Sequence, residues 1–341
     1  MTPRCAVAIA SVIVASLSTV LVADAAVTSA PPAFVAEVMQ GQEDFAEGLA
    51  ADGKLMHRYG RVLVPTSTEW SEDGSTVAWV ASAGVTAAAA DGSWQRVVYP
   101  SVLSCTPKMT STVGCPEGPN ITLSPDGRTV IVGYAGARAD RLVAVSIPSG
   151  AVRNIAPPRV AGYVVKSWSP DGHHILVWDN GRPRACIGGR VLIATPDLRN
   201  RRQLLCLRDR HDGPYPSWSP DSRKIAFVTE GRDDPSAGVI DAATGHLTAF
   251  PGIHPSVFQL PGWSPDSRTV AFAQYDGPVV TVTPPSTARH STATRGGEGV
   301  WYGSKLLITA GAKVLEVRPG HSPRPLFRLP HGQSFWWLYV R

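Results

Sequence analysis

A six-residue motif occurs in five near-copies along the 341-residue chain, and this repeat constrains the fold more than any other feature. In its Ser-Pro-Asp-Gly core, proline presets φ for the first turn position, aspartate can bond its own backbone, and glycine accepts a positive φ. The motif therefore specifies a tight turn, which needs a strand on each side. The copies are EWSEDG at 69–74, TLSPDG at 122–127, SWSPDG at 167–172, SWSPDS at 217–222 and GWSPDS at 262–267.

An apolar, alternating run follows each turn and predicts a β-strand, as in STVAWV from Ser75 and RKIAFV from Arg223. Two further strand-like stretches come next, and a Ser-Gly or Thr-Gly pair within 141–156 and 237–250 indicates an outer hairpin. The repeating unit is thus a four-stranded antiparallel blade. Successive units start about 45 to 53 residues apart, a spacing typical of propeller blades.

Two weaker copies complete the series at the ends of the chain. Residues 300–320 keep the tryptophan, a turn and the strands, and residues 33–60 contain three strands without a preceding turn motif. The last segment, 334–341, can supply the missing innermost strand and leave no open sheet edge. We therefore predict an all-β fold, a seven-bladed β-propeller over residues 33–341 that is closed by pairing of its N- and C-terminal strands. Six blades with an N-terminal extension are the alternative.

Two details of the motif lead to predictions about packing. The tryptophan that precedes most turns recurs once per blade, which indicates burial between neighbouring blades rather than a ligand-binding cage. These tryptophans are Trp70, Trp168, Trp218 and Trp263. Ser222 and Ser267 replace the turn glycine, which predicts strain or a slightly different turn at these two positions.

The motif WSPDG followed by IAF or VAF resembles the WD-like propeller repeat of the TolB-like family. The same type of repeat occurs in the propellers of prolyl-oligopeptidase-like peptidases and of oligogalacturonate lyases. The resemblance covers residues 33–341 and implies a propeller fold. It transfers no partner-contact residue to this chain.

The first 25 residues have the pattern of a secretory signal peptide, with one arginine, an apolar run and an A-x-A sequence at 23–25. We predict cleavage after about Ala25 and a secreted or extracytoplasmic protein. The alternative is an uncleaved membrane anchor within Cys5–Val22, which would be the chain's only membrane contact. Cleavage leaves four cysteines in an oxidising compartment, and we predict the disulfides Cys105–Cys115 and Cys186–Cys206.

One segment concentrates positive charge. Residues 182–211 contain eight arginines and two aspartates, a local net charge of +6 against +5 for the whole chain. A Cys186–Cys206 bridge would bring four of these arginines together: Arg182, Arg184, Arg208 and Arg210. Guanidinium groups on a fixed rim can bind phosphate or carboxylate through bidentate contacts. The alternative interpretation is an ordinary solvated surface in an arginine-rich protein.

The loops that contain the two predicted disulfides open on the same face of such a propeller, so we predict that this face binds a partner. Residues just before the innermost strands would lie at the mouth of the central channel on that face. These channel-mouth candidates are Glu69, Lys166, Tyr215, Gln259 and Glu298.

The sequence contains no G-x-S-x-G, P-loop, Rossmann, H-E-x-x-H or zinc-finger pattern. We therefore predict no cofactor, no metal site and no nucleic-acid partner. The predicted function is a non-catalytic binding or scaffold module for a protein or an anionic envelope polymer. The alternative is a lyase or hydrolase acting on an acidic polysaccharide, which convergence of Glu69, Glu298, Lys166 and a histidine within about 5 Å would favour.

Overall fold

The computed structural model describes residues 31–63, 68–100, 119–134, 142–155, 163–181, 185–208, 214–229, 237–255, 260–274, 277–295, 297–318 and 321–340. Within these ranges the protein is all-β, and its strands form seven four-stranded antiparallel sheets in a ring. The fold is a seven-bladed β-propeller, as the repeat predicts. The segment predicted as a signal peptide, residues 1–25, lies outside the described residues. In the part of the chain that is described, no helix has the length and apolar character needed to cross a membrane.

The first four blades each contain four strands in the described part of the chain. Blade 1 consists of β1 (Phe34–Gln40), β2 (Glu43–Leu49), β3 (Leu55–Val62) and the last strand, β28 (Gln333–Val340). Blade 2 consists of β4 (Thr68–Trp70), β5 (Thr76–Ala81), β6 (Gly84–Ala89) and β7 (Gln95–Pro100). Blade 3 consists of β8 (Pro119–Leu123), β9 (Thr129–Tyr134), β10 (Leu142–Ser146) and β11 (Val152–Asn154). Blade 4 consists of β12 (Tyr163–Trp168), β13 (Ile175–Asp179), β14 (Gly189–Ala194) and β15 (Arg201–Leu207).

The remaining three blades follow in chain order. Blade 5 consists of β16 (Tyr215–Trp218), β17 (Lys224–Val228), β18 (Ala237–Asp241) and β19 (Leu247–Ala249). Blade 6 consists of β20 (Gly262–Trp263), β21 (Val270–Phe272), β22 (Pro278–Val282) and β23 (Arg289–Arg295). Blade 7 consists of β24 (Gly299–Tyr302), β25 (Lys305–Ala310), β26 (Lys313–Val317) and β27 (Arg324–Arg328).

The ring closes through blade 1, in which the last strand of the chain pairs with the first. β28 pairs antiparallel with β1 from Phe34 opposite Val340 to Gln40 opposite Gln333. This pairing confirms the predicted closure, and the six-bladed alternative is wrong. The first strands of neighbouring blades contact one another, which places them on the inside of the ring, and β28 takes this inner position in blade 1.

The serine and aspartate of the repeated motif hold its turn together through the same hydrogen bonds in five blades. In blade 3, Ser124 Oγ donates to Asp126 Oδ1 at 2.6 Å, and Asp126 Oδ1 accepts the Arg128 N–H at 3.1 Å. Ser124 Oγ also accepts the Thr129 N–H at 2.9 Å. Equivalent networks occur at 71–76, 169–174, 219–224 and 264–269. The motif therefore recurs because each of these blades uses one internally bonded turn between its first two strands.

The two serines that replace the turn glycine connect successive blades. Ser222 and Ser267 both have a φ of 59°, in the left-handed region that favours glycine. Ser222 Oγ accepts the Asp171 N–H of the preceding blade at 3.0 Å, and Ser267 Oγ accepts the Asp221 N–H at 3.0 Å. The backbone strain expected from the sequence is present, and a hydrogen bond between blades offsets part of it.

Apolar clusters occupy the boundaries between blades, so the core is distributed around the ring. Between blades 2 and 3, for example, Val80 and Val85 belong to the same cluster as Val130 and Val132. The motif tryptophans belong to such clusters, which confirms their predicted structural use. They are Trp70 between blades 1 and 2, Trp168 between blades 3 and 4, Trp218 between blades 4 and 5, and Trp263 between blades 5 and 6.

Candidate functional site: the basic edge of blade 4

Blade 4 contains a disulfide that joins its outermost strand to a loop. Cys186 lies between β13 and β14, Cys206 lies in β15, and their Cα atoms are 5.1 Å apart. The prediction of this bridge from the sequence is confirmed. The other predicted pair, Cys105 and Cys115, lies outside the described residues.

Strand β15 divides the arginines of the basic segment into two groups. Arg201 and Arg202 begin the strand, and the exposed Arg208 follows its far end beside the disulfide. A strand of seven residues is about 20 Å long, so the two groups lie at opposite ends of the blade. Arg190, in β14, is paired with the buried carboxylate of Asp179. The other three arginines of the predicted rim, Arg182, Arg184 and Arg210, lie outside the described residues.

A cavity of about 760 Å³ lies between the outer hairpins of blades 4 and 5. Four exposed arginines line it: Arg199, Arg201 and Arg202 from blade 4, and Arg223 from blade 5. The other charged or titratable residues of the lining are Asp171, His174 and Asp241. Arginines of both blades therefore line the cavity together with two carboxylates. Turn-motif residues of both blades line the cavity. These turns join the first two strands of a blade, whereas the disulfide loop joins the second and third, so the cavity lies at the end of blade 4 opposite to the disulfide.

Contacts to both blades fix two of these arginines. Arg202 Nη2 donates to the Ala242 carbonyl oxygen of blade 5, and this bond crosses the boundary between the blades. The Arg201 guanidinium carbon lies 5.9 Å from the ring centroid of Tyr163, within cation–π range. The bond to Ala242 orients Arg202 in the cavity before any ligand binds, whereas Tyr163 packs against the apolar cluster between blades 3 and 4, on the other face of the blade.

The hairpin that carries Arg199 contains another copy of the motif turn, at Thr195–Asn200. Thr195 Oγ1 donates to Asp197 Oδ1 at 2.6 Å, and Asp197 Oδ1 accepts the Arg199 N–H at 3.1 Å. Leu198 takes the glycine position with a φ of 59° and is buried between blades 3 and 4. The sequence predicts a hairpin here, because Cys186 and Cys206 are equidistant from Pro196. Its likeness to the motif turn was missed, although the letters T-P-D in ATPDLRN match S-P-D of the motif.

Two of the predicted channel-mouth residues are glutamates whose side chains bond to the neighbouring blade. Glu298 is 5% exposed, and its Oε2 accepts the Leu338 N–H of β28 at 2.9 Å. The Glu69 carboxyl similarly accepts a main-chain hydrogen bond from Leu123 of β8. Burial in a poorly hydrated environment raises the pKa of Glu69 to about 8 and the pKa of Glu298 to about 8. Both carboxyls connect inner strands of adjacent blades.

A tyrosine of the closing strand joins these glutamates in one cluster of buried and half-buried polar groups. The Tyr339 hydroxyl donates to the Thr68 carbonyl oxygen, and Thr68 Oγ1 donates to Glu37 Oε2 at 3.0 Å. Burial raises the pKa of Tyr339 well above its usual range, and the nearby carboxyls of Glu69, Glu37 and Glu298 raise it further. The cluster lies where blade 1 meets blades 2 and 7.

The remaining described channel-mouth candidates meet in blades 4 and 5. Lys166 Nζ lies 5.2 Å from the ring centroid of Trp178 and 5.4 Å from that of Tyr215. The structure thus brings Lys166 together with Tyr215, and Glu69 together with Glu298. Gln259 lies outside the described residues. Among the residues that the structure describes, no group of three or more His, Cys, Asp or Glu side chains is arranged to hold a metal ion.

Comparison with known proteins places the chain in a fold class. No protein-family model matches the sequence, and no curated protein matches it. TolB from Acinetobacter baumannii is similar in structure, with a TM-score of 0.54 and 14% identity over 75% of this chain and 62% of that chain. The chain therefore spans less than two thirds of that TolB. An oligogalacturonate lyase in complex with manganese has a TM-score of 0.55 and 12% identity, with 78% and 79% of the two chains covered.

A second oligogalacturonate lyase, from Vibrio parahaemolyticus, has a TM-score of 0.53 and 11% identity over 82% of this chain and 89% of that chain. At these identities the similarity shows the fold alone. The fold and the comparisons together define the class of this protein. It is a seven-bladed β-propeller whose structural neighbours include TolB-like propellers.

Proposed function

We propose that this protein is a secreted or envelope-associated, non-catalytic module that binds an anionic partner through the arginines of blade 4. The observation that carries the proposal is the cavity between blades 4 and 5, into which both blades contribute arginine side chains. A single strand cannot form such a site, because its side chains alternate between two faces. The partner is a protein or an anionic envelope polymer.

The geometry suits recognition of phosphate or carboxylate groups. Arginine presents several N–H donors in a planar fork that matches both oxygens of such a group. Arg202 is held by the Ala242 carbonyl oxygen, so this side chain loses little conformational freedom on binding. On the disulfide side of the blade, Arg208 would extend the same basic edge together with Arg182, Arg184 and Arg210.

The hydrogen bonds of the two channel-mouth glutamates support a binding role over catalysis. Glu69 and Glu298 each accept a main-chain hydrogen bond from the adjacent inner strand, which is a structural use of the carboxyl group. Lys166 packs against Trp178 and Tyr215 in another part of the ring. We propose that these groups stabilise the ring and do not act on a substrate.

The second candidate function is a lyase or hydrolase acting on an acidic polysaccharide. Two carboxyls with a pKa of about 8 beside Tyr339 favour it, because a general acid at neutral pH needs a raised pKa. Two of the similar structures are oligogalacturonate lyases, which gives this candidate a substrate class. Product analysis after incubation with acidic polysaccharides distinguishes it from a binding module.

The test is binding of the mature protein to immobilised polyanions and acidic peptides at low and high salt. We expect an Arg202→Gln/Arg223→Gln variant to bind more weakly and with a smaller salt dependence. Arg268→Gln is the matched control, because Arg268 is an exposed arginine at the equivalent position after the turn of blade 6. Equal binding by all three proteins would contradict the proposal. An Arg182→Ala/Arg184→Ala/Arg208→Ala/Arg210→Ala variant tests the disulfide side in the same way.

A further inference from the structure

A second cavity, of about 450 Å³, lies between the outer hairpins of blades 2 and 3. It is lined by turn residues and outer-strand residues of both blades, among them Trp94, Arg96, Asp126, Arg128 and Ile147. None of these residues belongs to the basic segment of blade 4. We call this cavity the Trp94 cavity.

The cavity between blades 4 and 5 that Arg202 and Arg223 line is called the arginine cavity below. The Trp94 cavity occupies the same place in blades 2 and 3 as the arginine cavity does in blades 4 and 5. Strand pairing makes Arg96 of β7 equivalent to Arg202 of β15, because their cross-strand partners are Ala87 of β6 and Ile193 of β14. Both arginines donate through Nη2 to the carbonyl oxygen of the first residue after the third strand of the next blade. The two acceptors are Ile147 O for Arg96 and Ala242 O for Arg202.

The second arginine of each cavity is equivalent as well. Arg128 follows the turn of blade 3, and its carbonyl oxygen accepts the Ile147 N–H at 2.8 Å. Arg223 follows the turn of blade 5, and its carbonyl oxygen accepts the Ala242 N–H at 2.8 Å. The fold therefore builds the same arginine pair twice, at boundaries that lie two blade positions apart.

An indole side chain distinguishes the Trp94 cavity from its counterpart. Trp94 is 38% exposed, although most large apolar side chains of the described residues are buried. The Arg96 guanidinium carbon lies 5.6 Å from its ring centroid, so the arginine and the indole form one packed unit.

We infer that the Trp94 cavity is a binding subsite for an acidic sugar residue of a polysaccharide. A pyranose ring offers an apolar face that can pack on the exposed indole of Trp94. The carboxylate of such a sugar can bind the guanidinium groups of Arg96 and Arg128. An acidic polypeptide would use the arginines but would leave the indole without a ring partner.

The charge of the cavity suits a single anionic group. Two arginines line it together with one aspartate, Asp126, whose Oδ1 is occupied by Ser124 and the Arg128 N–H within the turn. The arginine cavity between blades 4 and 5 carries a larger positive excess. A linear polymer that reaches both cavities would gain affinity from the second contact without any new type of interaction.

This inference rests on the proposed function, because it takes the ligand to be anionic. The probes are a short oligomannuronate, which is a chain of uronic acids, and polyglutamate, an acidic polypeptide. Affinity is measured by calorimetry for the intact protein and for Trp94→Ala, Arg128→Gln, Arg268→Gln and the Arg202→Gln/Arg223→Gln variant. Urea unfolding midpoints show that each variant is folded, which we expect because the replaced side chains are exposed.

We expect Trp94→Ala and Arg128→Gln each to weaken oligomannuronate binding about tenfold, and Arg268→Gln to leave it unchanged. Polyglutamate binding should not depend on Trp94. If the affinity for oligomannuronate is unchanged in Trp94→Ala but lost in the Arg202→Gln/Arg223→Gln variant, this inference is overturned and the proposed function stands. An equal loss of polyglutamate binding in Trp94→Ala would overturn the sugar assignment. Failure of the intact protein to bind either probe would overturn both proposals.

Discussion

Replacement of Glu298 by glutamine tests whether this buried carboxyl is neutral in the folded protein. Glu298 is 5% exposed and its Oε2 accepts the Leu338 N–H, a bond that a glutamine side-chain carbonyl oxygen can also accept. Burial raises the pKa of Glu298 from its ordinary value of 4.5 to about 8. The substitution therefore removes the ionisation and keeps the shape and the hydrogen bond.

The sign of the effect follows from the raised pKa in the folded state. Below the unfolded pKa of 4.5, Glu298 is protonated in both states and costs nothing. As the pH rises above that value, the unfolded chain releases the proton while the folded protein retains it, so stability falls with pH. The loss ends once the pH exceeds the folded pKa of about 8. By about pH 8 this single group has removed about 4 kcal/mol from the free energy of unfolding.

Urea unfolding at several pH values between about 5 and 9 measures this effect. We expect Glu298→Gln to resemble the intact protein at about pH 5 and to be about 4 kcal/mol more stable than it at about pH 8. Glu43→Gln is the control, because Glu43 is an exposed glutamate of blade 1. A difference between Glu298→Gln and the intact protein that does not change with pH would refute the reasoning.

Four further variants test the construction of the ring by urea unfolding. Ser222→Ala should cost about 1 kcal/mol because the bond to the Asp171 N–H is lost, whereas Ser222→Gly should cost less because glycine relieves the positive φ; equal costs would contradict this. Cys186→Ala/Cys206→Ala should lower the free energy of unfolding by about 3 kcal/mol, and an unchanged midpoint would argue against a structural disulfide. Deletion of 333–340 should prevent a cooperative transition by removing the inner strand of blade 1, and cooperative unfolding of the truncated chain would show that closure is dispensable.

Local periodic patterns in the sequence determined most of the fold. The S-P-D-G turns, the alternating runs after them and their spacing predicted the blades, and the unpaired strands at the two ends predicted closure. The Cys186–Cys206 disulfide was predictable because the two residues are equidistant from the same hairpin. These features depend on contacts between residues near in the chain or on a strict repeat, both of which a single sequence displays.

Only the tertiary structure decided which side chains meet between blades. Arg202 and Arg223, and likewise Arg96 and Arg128, come together because hairpins of adjacent blades pack side by side. The burial of Glu298 under β28 likewise depends on how the closing strand seats against blade 7. Side chains alternate between the two faces of a strand, and blade packing selects which face meets which neighbour. The sequence therefore determined the repeating framework, and the candidate binding sites arose from contacts across blade boundaries that no local pattern encodes.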